Sequence, residues 1–485
     1  MLITMEIADL TKQNPWWKDP ITIQDAREIR EYKKAKYPWE PRLKYFFKWN
    51  EDLIYTLRGP RQVGKTTLIK QFIKELLDKG VAPERVFYYT CDILSDKKEL
   101  AQLLETYMSW VRSQHANRVF IFLDEISSVK DWQQSIKLLK DTGGLDKTSI
   151  ILTGSHAIDV KKSGEMLPGR RGKSAPLNKI LVPMKFAEFL EVAKSNIPIP
   201  KSAGVRKSIV LSLFKGKIDT SIQALLPYLK DLDSYLDKYL IAGGFPSSVT
   251  QLLENGTINH YLYELYTRAV VGDMCKWDKN DRIIREISAR LIETMTTRVG
   301  WDTIRNGTSI RHHETVKEYV TALKDSFAVG IVSKVDPNKK QSVPSHKKIY
   351  FLDPLIFHSI KSWVEGYPDP FRASKESLDD PELKSKLIES LIYNHLVRLA
   401  YNLQPSDLFD PEDFVFYWSD GKELDFAFKY EGKLFPVDVT YRKQVGTNWK
   451  WIKETFDYPI IISKETFKIQ SDYASVPASI FLSLI

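Results

Sequence analysis

A run of nine residues near position 60 has the composition and spacing of a phosphate-binding loop. Glycines in such a loop let successive backbone N–H groups point inward, where they form a concave anion site. The Lys65 ammonium is then placed for the β- and γ-phosphates of a nucleoside triphosphate, and the Thr66 hydroxyl for Mg²⁺. The predicted ATP-binding residues are Gly59, Pro60, Arg61, Gln62, Val63, Gly64, Lys65, Thr66 and Thr67.

An acidic pair, Asp124 and Glu125, follows the apolar run 119–123, which is typical of a buried parallel strand. At the carboxyl end of such a strand, Asp124 would hold Mg²⁺ through water and Glu125 would polarise the attacking water. An acidic pair after a strand is a weak signal alone. Beside the loop at 59–67, it predicts Mg²⁺-dependent hydrolysis of ATP.

The spacing of apolar residues predicts the elements that carry these groups. The run 53–57 predicts a strand that leads into the loop. The helical period over 66–79 predicts a helix whose N-terminus adds a positive dipole end to the anion site. A strand at 86–90 and a helix at 98–113 are predicted between the two motifs. That intervening strand is the mark of the NTPase division that uses a catalytic glutamate.

A helix at 131–140 precedes another predicted strand, 149–152, which leads into Thr153 and Ser155. A polar residue at the end of this strand would lie between the two motifs and contact the γ-phosphate or the attacking water. Ser155 or Thr153 is therefore a candidate catalytic residue. Capping of the turn explains the same hydroxyls equally well.

These motifs together resemble a family, the archaeal and bacterial AAA-type ATPases known only as ATP-binding proteins. The resemblance rests on the runs 57–67, 123–126 and 152–155, and most of the chain takes part in it. Further similar runs are 167–172, 183–189 and 239–246, and Asn14-Pro15-Trp16-Trp17 is similar to the archaeal branch. The resemblance implies an ATPase core with Walker A and Walker B motifs, a helical lid, a winged helix and a C-terminal domain resembling restriction-type nucleases.

Two adjacent arginines, Arg170 and Arg171, form a basic turn after the last core strand. In ring-forming or dimeric ATPases, an arginine after this strand neutralises the charge that grows on the γ-phosphoryl group in the transition state. The resemblance therefore implies a catalytic role for these arginines, within one chain or across the interface of a homo-oligomer. A solvated basic turn is the alternative.

The composition is that of a folded protein with several domains. The chain has 485 residues, of which 43% are hydrophobic and 12% aromatic, so it is long enough for about three domains. Lysine and arginine outnumber aspartate and glutamate by 71 to 62, a net charge of +9. This excess favours an acidic partner such as DNA, and ordinary surface solvation explains it equally well.

Cysteine usage and hydropathy bear on the compartment. Cys91 and Cys275 have neither disulfide nor metal-ligand spacing, which predicts a reducing environment. No apolar run approaches the length of a membrane span, and the N-terminus lacks a basic-then-apolar signal pattern. We therefore expect a soluble cytoplasmic protein with no membrane partner.

The predicted fold class is α/β, a P-loop NTPase core with a parallel sheet, followed by further domains. The predicted divisions are an N-terminal extension at 1–50 that packs on the core, a P-loop ATPase core at 51–180, a helical lid at 181–280, a winged helix at 281–352, a linker at 353–380 and a restriction-nuclease-like domain at 381–485.

The winged helix is predicted from helical periods at 283–298, 301–305 and 313–327 and from strands at 330–332 and 349–352. The loop between these strands would be a wing that meets phosphates, because it carries Lys334, Lys339, Lys340, Lys347 and Lys348.

The third helix of this domain would enter a major groove. It offers few side chains that could read bases, namely Arg311, His312 and Lys317, so its contacts would position the protein rather than specify a sequence. A spacer that docks a protein is the alternative.

The C-terminal part has a predicted helix at 383–401 that contains Glu389, followed by three strands. In the nuclease fold that it resembles, Asp425 and Asp438 would bind Mg²⁺, and a lysine two residues further on would activate water. Here Thr440 occupies that position. The missing ammonium favours a degenerate, DNA-docking or structural version over active cleavage, unless Arg442 or Lys443 reaches in.

Three functions are consistent with this sequence. The first is an ATPase that acts on or docks to DNA through its winged helix and C-terminal domain. The second is a nucleotide-dependent switch that recruits a protein partner. The third adds an active Mg²⁺-dependent nuclease. Stimulation of turnover by DNA separates the first from the second, and cleavage that disappears in Asp425→Ala is required for the third.

Overall fold

The computed structural model describes residues 6–154, 167, 169–173, 176–275, 277–338, 341–443 and 449–485. The chain groups into two compact units, Met1–Val182 and Pro183–Ile485. The finer divisions at 181–280, 281–352 and 381–485 stay predictions.

Short apolar runs form a five-stranded parallel sheet in the first unit. Its strands are β1 (Leu53–Arg58), β2 (Val86–Thr90), β3 (Val119–Asp124), β4 (Thr148–Gly154) and β5 (Asn178–Ile180). Their order is β2-β3-β4-β1-β5, and all neighbours are parallel. Because β4 lies between β1 and β3, its end separates the loop after β1 from the acidic pair after β3. The α/β fold class is confirmed, and so is the expected position of this strand.

The three helices predicted for the first unit, at 66–79, 98–113 and 131–140, are present within one residue of these bounds, and two more helices lie in the N-terminal extension. The α-helices are Ile7–Thr11, Arg27–Lys34, Lys65–Asp78, Lys97–Gln114 and Trp132–Asp141. Short 3₁₀ turns lie at Pro15–Trp17, Pro20–Asp25, Arg42–Phe46, Pro83–Arg85, Cys91–Ile93 and Ile126–Ser128.

The N-terminal extension packs on the core, as predicted, and it covers an edge of the sheet. The Asn14 side chain donates to the Tyr88 carbonyl at 2.9 Å and accepts from the Tyr88 N–H at 2.7 Å, as a paired strand would. The indole N–H groups of Trp16 and Trp17 both donate to the Val86 carbonyl, at 2.9 and 3.0 Å. These bonds satisfy part of the open edge of β2, which would otherwise invite pairing with another chain.

The second unit combines many helices with a second sheet. Its α-helices are Phe186–Val192, Ala203–Phe214, Thr220–Leu225, Leu229–Ala242, Pro246–Asn255, His260–Cys275, Asp281–Glu293, Trp301–Arg305, His313–Asp325, Pro354–Glu365, Pro370–Asp379, Pro381–Leu403, Lys450–Lys453 and Ala478–Ser483. Short 3₁₀ turns lie at Leu226–Tyr228 and Pro411–Asp413.

The second sheet is mixed and has eight strands, in the order β12-β13-β11-β10-β9-β8-β6-β7. Its strands are β6 (Val329–Asp336), β7 (Gln341–Phe351), β8 (Val415–Asp420), β9 (Lys422–Tyr430), β10 (Lys433–Thr440), β11 (Ile460–Ser463), β12 (Lys468–Ile469) and β13 (Ala474–Pro477). The hairpin β6–β7 therefore continues the sheet of the C-terminal strands, through one parallel pairing of Lys334 with Tyr417.

The predicted lysine-rich loop 334–348 is corrected by this hairpin. Strand β6 runs on to Asp336 and β7 begins at Gln341, so most of the segment is strand. Lys348 is 1% exposed and points into the protein, not to a wing tip. Alternation along a strand buries every second side chain, and here a charged residue takes such a position because carboxylates surround it. Lys339 and Lys340 lie outside the described residues.

The predicted linker 353–380 is also corrected. It forms the helices Pro354–Glu365 and Pro370–Asp379, each begun by an aspartate, Asp353 or Asp369, whose side chain accepts a backbone N–H. The first of these helices is largely buried, including Leu355, Phe357 and Ile360. A proline just after an aspartate marks a helix start at both positions.

Candidate nucleotide-binding site

The loop between β1 and the helix Lys65–Asp78 depends on two glycines. A Cβ on Gly59 would lie 1.9 Å from the Leu181 carbonyl oxygen, so only glycine fits this close approach. Gly64 has φ +103°, a conformation that side chains rarely adopt, and no side chain among the described residues caps the helix that it begins. The first N–H groups of that helix are therefore available to an anion.

The other predicted loop residues divide between anchors and exposed positions. Val63 is fully buried and holds the loop against the core, whereas Gln62 is exposed at φ +62°. The Lys65 ammonium lies over the loop and donates to the carbonyls of Gly59 and Pro60, at 2.9 and 3.1 Å. Arg61 and Thr67 are partly buried beside them.

Asp124, at the end of β3, is the centre of the site. Its Oδ2 accepts a hydrogen bond from the Thr66 hydroxyl at 2.7 Å, and its Oδ1 accepts one from the Thr153 hydroxyl at the end of β4. Asp124 is 3% exposed, so these donors hold its carboxylate in one orientation. The structure thus brings together the predicted metal residues of the two motifs.

Thr153 also orients the predicted catalytic base. Its hydroxyl accepts a hydrogen bond from the Glu125 backbone N–H at 3.0 Å, while its own proton goes to Asp124. Glu125 has φ +52°, in the left-handed region that non-glycine residues rarely occupy. Such strain concentrates at functional sites. Of the two hydroxyls left open by the sequence, Thr153 makes these contacts, and Ser155 lies outside the described residues.

Sequence reasoning missed a further contact to this carboxylate, from Tyr88 on β2. The Tyr88 hydroxyl donates to Asp124 Oδ2 at 3.2 Å, the oxygen that Thr66 also contacts. Burial, and then the negative charge of Asp124, raise the pKa of Tyr88 far above its usual range, so its hydroxyl stays a donor. The sequence held one indication of this contact, because residue 88 lies on β2, the strand that pairs with β3.

The two arginines predicted to be catalytic lie elsewhere in this unit. Arg171 is 7% exposed and donates to the Ile54 carbonyl at 3.1 Å, near the start of β1. Its guanidinium also donates to the Thr56 hydroxyl at 3.3 Å, three residues before Gly59, which is about 10 Å along the strand at about 3.3 Å per residue. Arg170 forms a bidentate ion pair with Asp141, at 2.6 and 3.0 Å. Both guanidinium groups are thus engaged within this unit, and a catalytic role for either arginine, within one chain or across an interface, stays a prediction.

The donor set fits Mg²⁺ and a polyphosphate. The Thr66 hydroxyl and the Asp124 carboxylate put hard oxygen ligands at one point, and Mg²⁺ is usually held by one or two protein oxygens together with phosphates and waters. The uncapped helix N-terminus and Lys65 supply the positive end of the site. The arrangement can therefore bind a nucleotide and place a carboxylate, Glu125, beside its terminal phosphate.

A second group of charged residues lies in the C-terminal unit, around Lys348. Its ammonium lies 2.8 Å from Asp425 Oδ1, 3.3 Å from Glu389 Oε1 and 2.6 Å from Glu423 Oε1. Burial opposes the charge of Lys348, but the three carboxylates raise its pKa far above the usual range. Burial, and then the charge of Asp425, raise the pKa values of Glu389 and Asp438 to about 8.

The predicted nuclease-like residues Glu389, Asp425 and Asp438 thus come together around an internal ammonium that no sequence pattern indicated. The Asp438 carboxylate accepts from the Thr440 hydroxyl at 3.1 Å, and Asp425 accepts from the Val439 N–H at 3.0 Å. Among the described residues, no three histidine, cysteine, aspartate or glutamate side chains are arranged to hold a metal ion. As arranged, this group does not fit Mg²⁺, because Lys348 neutralises the carboxylates from within.

Two family models match parts of the chain. Residues 51–190 match an AAA domain, and residues 233–365 match a domain of unknown function, DUF8612. The first match covers the whole loop, acidic pair and sheet described above. The described part of the chain contains no helix with both the length and the apolar character that a bilayer crossing needs.

Distant relatives occur in bacteria and archaea. An uncharacterised protein of Haemophilus influenzae is 22% identical over 429 residues, 85% of this chain and 90% of that protein. An uncharacterised protein of Methanocaldococcus jannaschii is 22% identical over 402 residues, 80% of this chain and 74% of that protein.

Two solved structures resemble the chain at low similarity. The Walker-type ATPase of Pyrococcus abyssi is 15% identical, with a TM-score of 0.39, over 70% of this chain and 95% of that one. The ORC1 protein of Aeropyrum pernix, solved in complex with DNA, is 10% identical, with a TM-score of 0.31, over 74% of this chain and 98% of that one. Likeness at this level does not indicate a ligand or partner for this chain.

Proposed function

We propose that this chain hydrolyses ATP in the AAA-type P-loop ATPase domain formed by its residues 51–190. The observation that carries the proposal is the set of contacts at Asp124, which accepts hydrogen bonds from Thr66 and Thr153 and precedes Glu125. A purely structural aspartate would not need one hydroxyl from the phosphate loop and another from the strand between the two motifs.

Each residue then has a defined task. The backbone of 59–67 and the Lys65 ammonium bind and orient the phosphates. Mg²⁺, held by Thr66 and Asp124, supplies charge neutralisation at the phosphate oxygens when it is bound. Glu125 accepts the proton of the attacking water, and Thr153 fixes both the Glu125 backbone and the Asp124 carboxylate.

The proposed mechanism includes a homo-oligomer, in which a second copy of the chain supplies an arginine. If either of these two arginines stabilises the transition state, it acts from a second copy, since both guanidinium groups are engaged by other groups of their own chain. Arg170 is the candidate, because Arg171 is buried in the fold and Arg170 is partly exposed beside Asp141.

We further propose that the second unit docks to DNA. The helices Asp281–Glu293, Trp301–Arg305 and His313–Asp325 followed by the hairpin β6–β7 have the order of a winged helix. At the start of the third helix, Arg311, His312 and Lys317 are exposed. These cations and the net charge of +9 support contacts to phosphates, which set affinity rather than sequence preference.

Cleavage of DNA is not expected of the second unit, because Lys348 neutralises the carboxylates around it. The proposal predicts no Mg²⁺-dependent nicking of supercoiled plasmid. Nicking that disappears in Asp425→Ala would establish the nuclease alternative instead.

The test of DNA docking is ATP turnover by the full chain with and without double-stranded and single-stranded DNA, at 50 to about 300 mM salt, because phosphate contacts weaken steeply over that range. Lys65→Ala serves as the blank. Stimulation that falls with salt, and that falls further in Arg311→Ala/Lys317→Ala, supports docking. Turnover that DNA does not change at any salt concentration would favour the switch that recruits a protein.

A further inference from the structure

A cavity of about 510 Å³ lies between the N-terminal extension and the core of the first unit. Trp16, Asp25 and Glu28 line it from the extension, and Lys70 and Tyr88 line it from the core. Its volume is within the range of small-molecule sites, about 300 to 1,000 Å³. The phosphate-binding residues 59–67 take no part in it.

Lys70 is the unusual residue of this cavity. It is 8% exposed, and its ammonium lies 3.2 Å from the centre of the Tyr88 ring and 5.3 Å from that of Trp16. Among the described residues, no oxygen accepts a hydrogen bond from this ammonium. Burial lowers its pKa to about 8, although Glu28 and Asp124 favour its charge. A largely buried ammonium that contacts two aromatic rings gains from an acidic ligand group that enters the cavity.

Negative charge, opposite to that of Lys70, lies on the N-terminal extension. Glu28 is half-buried and Asp25 is exposed, and both line the same cavity. A simple anion would bind Lys70 but face these two carboxylates, and a simple cation would face Lys70. A ligand that carries both charges satisfies the two ends together, while the Trp16 ring and Ile23 contact its apolar part.

We propose that this cavity binds a small zwitterion of the amino-acid or dipeptide class, with its carboxylate on Lys70 and its ammonium on Glu28 and Asp25. Binding also reaches the nucleotide site through one side chain. The Tyr88 ring faces Lys70, and the Tyr88 hydroxyl is 3.2 Å from Asp124 Oδ2. A ligand that shifts Tyr88 therefore changes the orientation of Asp124 and the rate of turnover. This effect on turnover rests on the proposed function, whereas binding itself does not.

Isothermal titration calorimetry of the full chain without nucleotide tests the binding. The probes are glycine, L-leucine and glycyl-L-leucine, compared with acetate, phosphate and butylammonium. We expect at least one zwitterion to bind at one site, and at least tenfold more tightly than the singly charged probes. Binding should fall at least tenfold in Lys70→Met and in Glu28→Gln.

Lys74→Met is the matched control, because Lys74 lies one turn further along the same helix and pairs with Asp78. It should bind like the wild type. Thermal melting shows that each variant is folded. Failure of all three zwitterions to bind, equal binding of acetate or phosphate, or binding that survives both Lys70→Met and Glu28→Gln would overturn the proposal.

Measurements of ATP turnover distinguish a failure of the zwitterion site from a failure of the proposed ATPase function. A zwitterion that binds should change the ATP turnover of the wild type by twofold or more and leave that of Tyr88→Phe unchanged, although calorimetry still shows binding to Tyr88→Phe. An equal change in both proteins would overturn the role of Tyr88. A chain that binds the zwitterion but hydrolyses no ATP would refute the proposed function and leave the binding site standing.

Discussion

At the residue scale, a single threonine connects the two acidic residues of the proposed ATPase site. Thr153 gives its proton to Asp124 and accepts the N–H of Glu125, so its loss would free the metal-binding carboxylate and the base together. We expect Thr153→Val to lower ATP turnover by about 10- to 100-fold, the usual cost of removing a residue that orients a metal ligand. ATP binding should change little, because the loop at 59–67 is intact.

Thr148→Val is the control for this variant. Thr148 lies at the other end of β4, is 2% exposed and donates to the Leu145 carbonyl. Its substitution removes a buried hydrogen bond without touching the site. Steady-state kinetics should show normal turnover per folded molecule for Thr148→Val. Equal losses in both variants would mean that Thr153 acts only through stability.

A second prediction concerns the carboxylates around Lys348. Glu389 has a pKa of about 8 in the folded protein, mainly because of burial, against about 4.3 when unfolded. Between these values the native state holds a proton that the unfolded state has released, so stability falls as pH rises. His358, whose pKa burial lowers to about 4, acts only below its ordinary value of about 6.5.

In the window from pH 6.5 to 8 the carboxylates lower stability as pH rises, whereas Lys70, whose pKa burial lowers to about 8, opposes this fall near the upper end. We expect the free energy of unfolding of the wild type to fall in this window, with Glu389 contributing at most about 1.4 kcal/mol per pH unit. Glu389→Gln should show a shallower fall by urea denaturation, because its side chain carries no titrating proton. Parallel slopes for the two proteins would show that Glu389 is not protonated in the native state.

At the element scale, the extension protects β2. Asn14 replaces a neighbouring strand at Tyr88, and both of its side-chain bonds to the Tyr88 backbone are buried. We expect Asn14→Ala to destabilise the protein by about 2 to 4 kcal/mol, since it leaves a buried N–H and a buried C=O unpaired. Denaturant unfolding measures this loss. Lys12→Ala, on the exposed surface of the same extension, should be indistinguishable from the wild type, and a similar loss there would contradict the account.

The elements that the sequence predicted well are those with a local cause. Apolar runs gave β1 to β4 within two residues at each end, and glycine and lysine spacing located the phosphate loop. These patterns depend only on neighbours along the chain. Asp124 and Glu125 followed from the strand before them.

The features that the sequence could not predict depend on contacts between distant segments. Lys348 looked like a surface lysine, because the carboxylates that surround it lie 41 to 77 residues further along the chain. Tyr88 had no chemical signal until β2 paired with β3. Arg171 was expected at the γ-phosphate, but its contacts with Ile54 and Thr56 are formed only once the chain returns to β1.

At the scale of the whole molecule, the residues of the two proposed functions lie in different compact units. The first contains the proposed nucleotide-binding residues and the cavity around Lys70. The second contains the exposed basic positions Arg311, His312 and Lys317, together with the buried ions around Lys348. Substitution of these basic residues in the second unit should therefore leave ATP binding unchanged. The same substitutions should abolish the dependence of turnover on DNA.

Turnover of Glu125→Gln beside the wild type is the most direct test of the central claim, that this chain hydrolyses ATP with Glu125 as the base. The substitution keeps the shape of the side chain and removes its ability to accept a proton. We predict that ATP affinity stays within a few-fold and that turnover with Mg²⁺ falls by about 10²- to 10⁴-fold. Hydrolysis by Glu125→Gln at the wild-type rate would contradict the assignment.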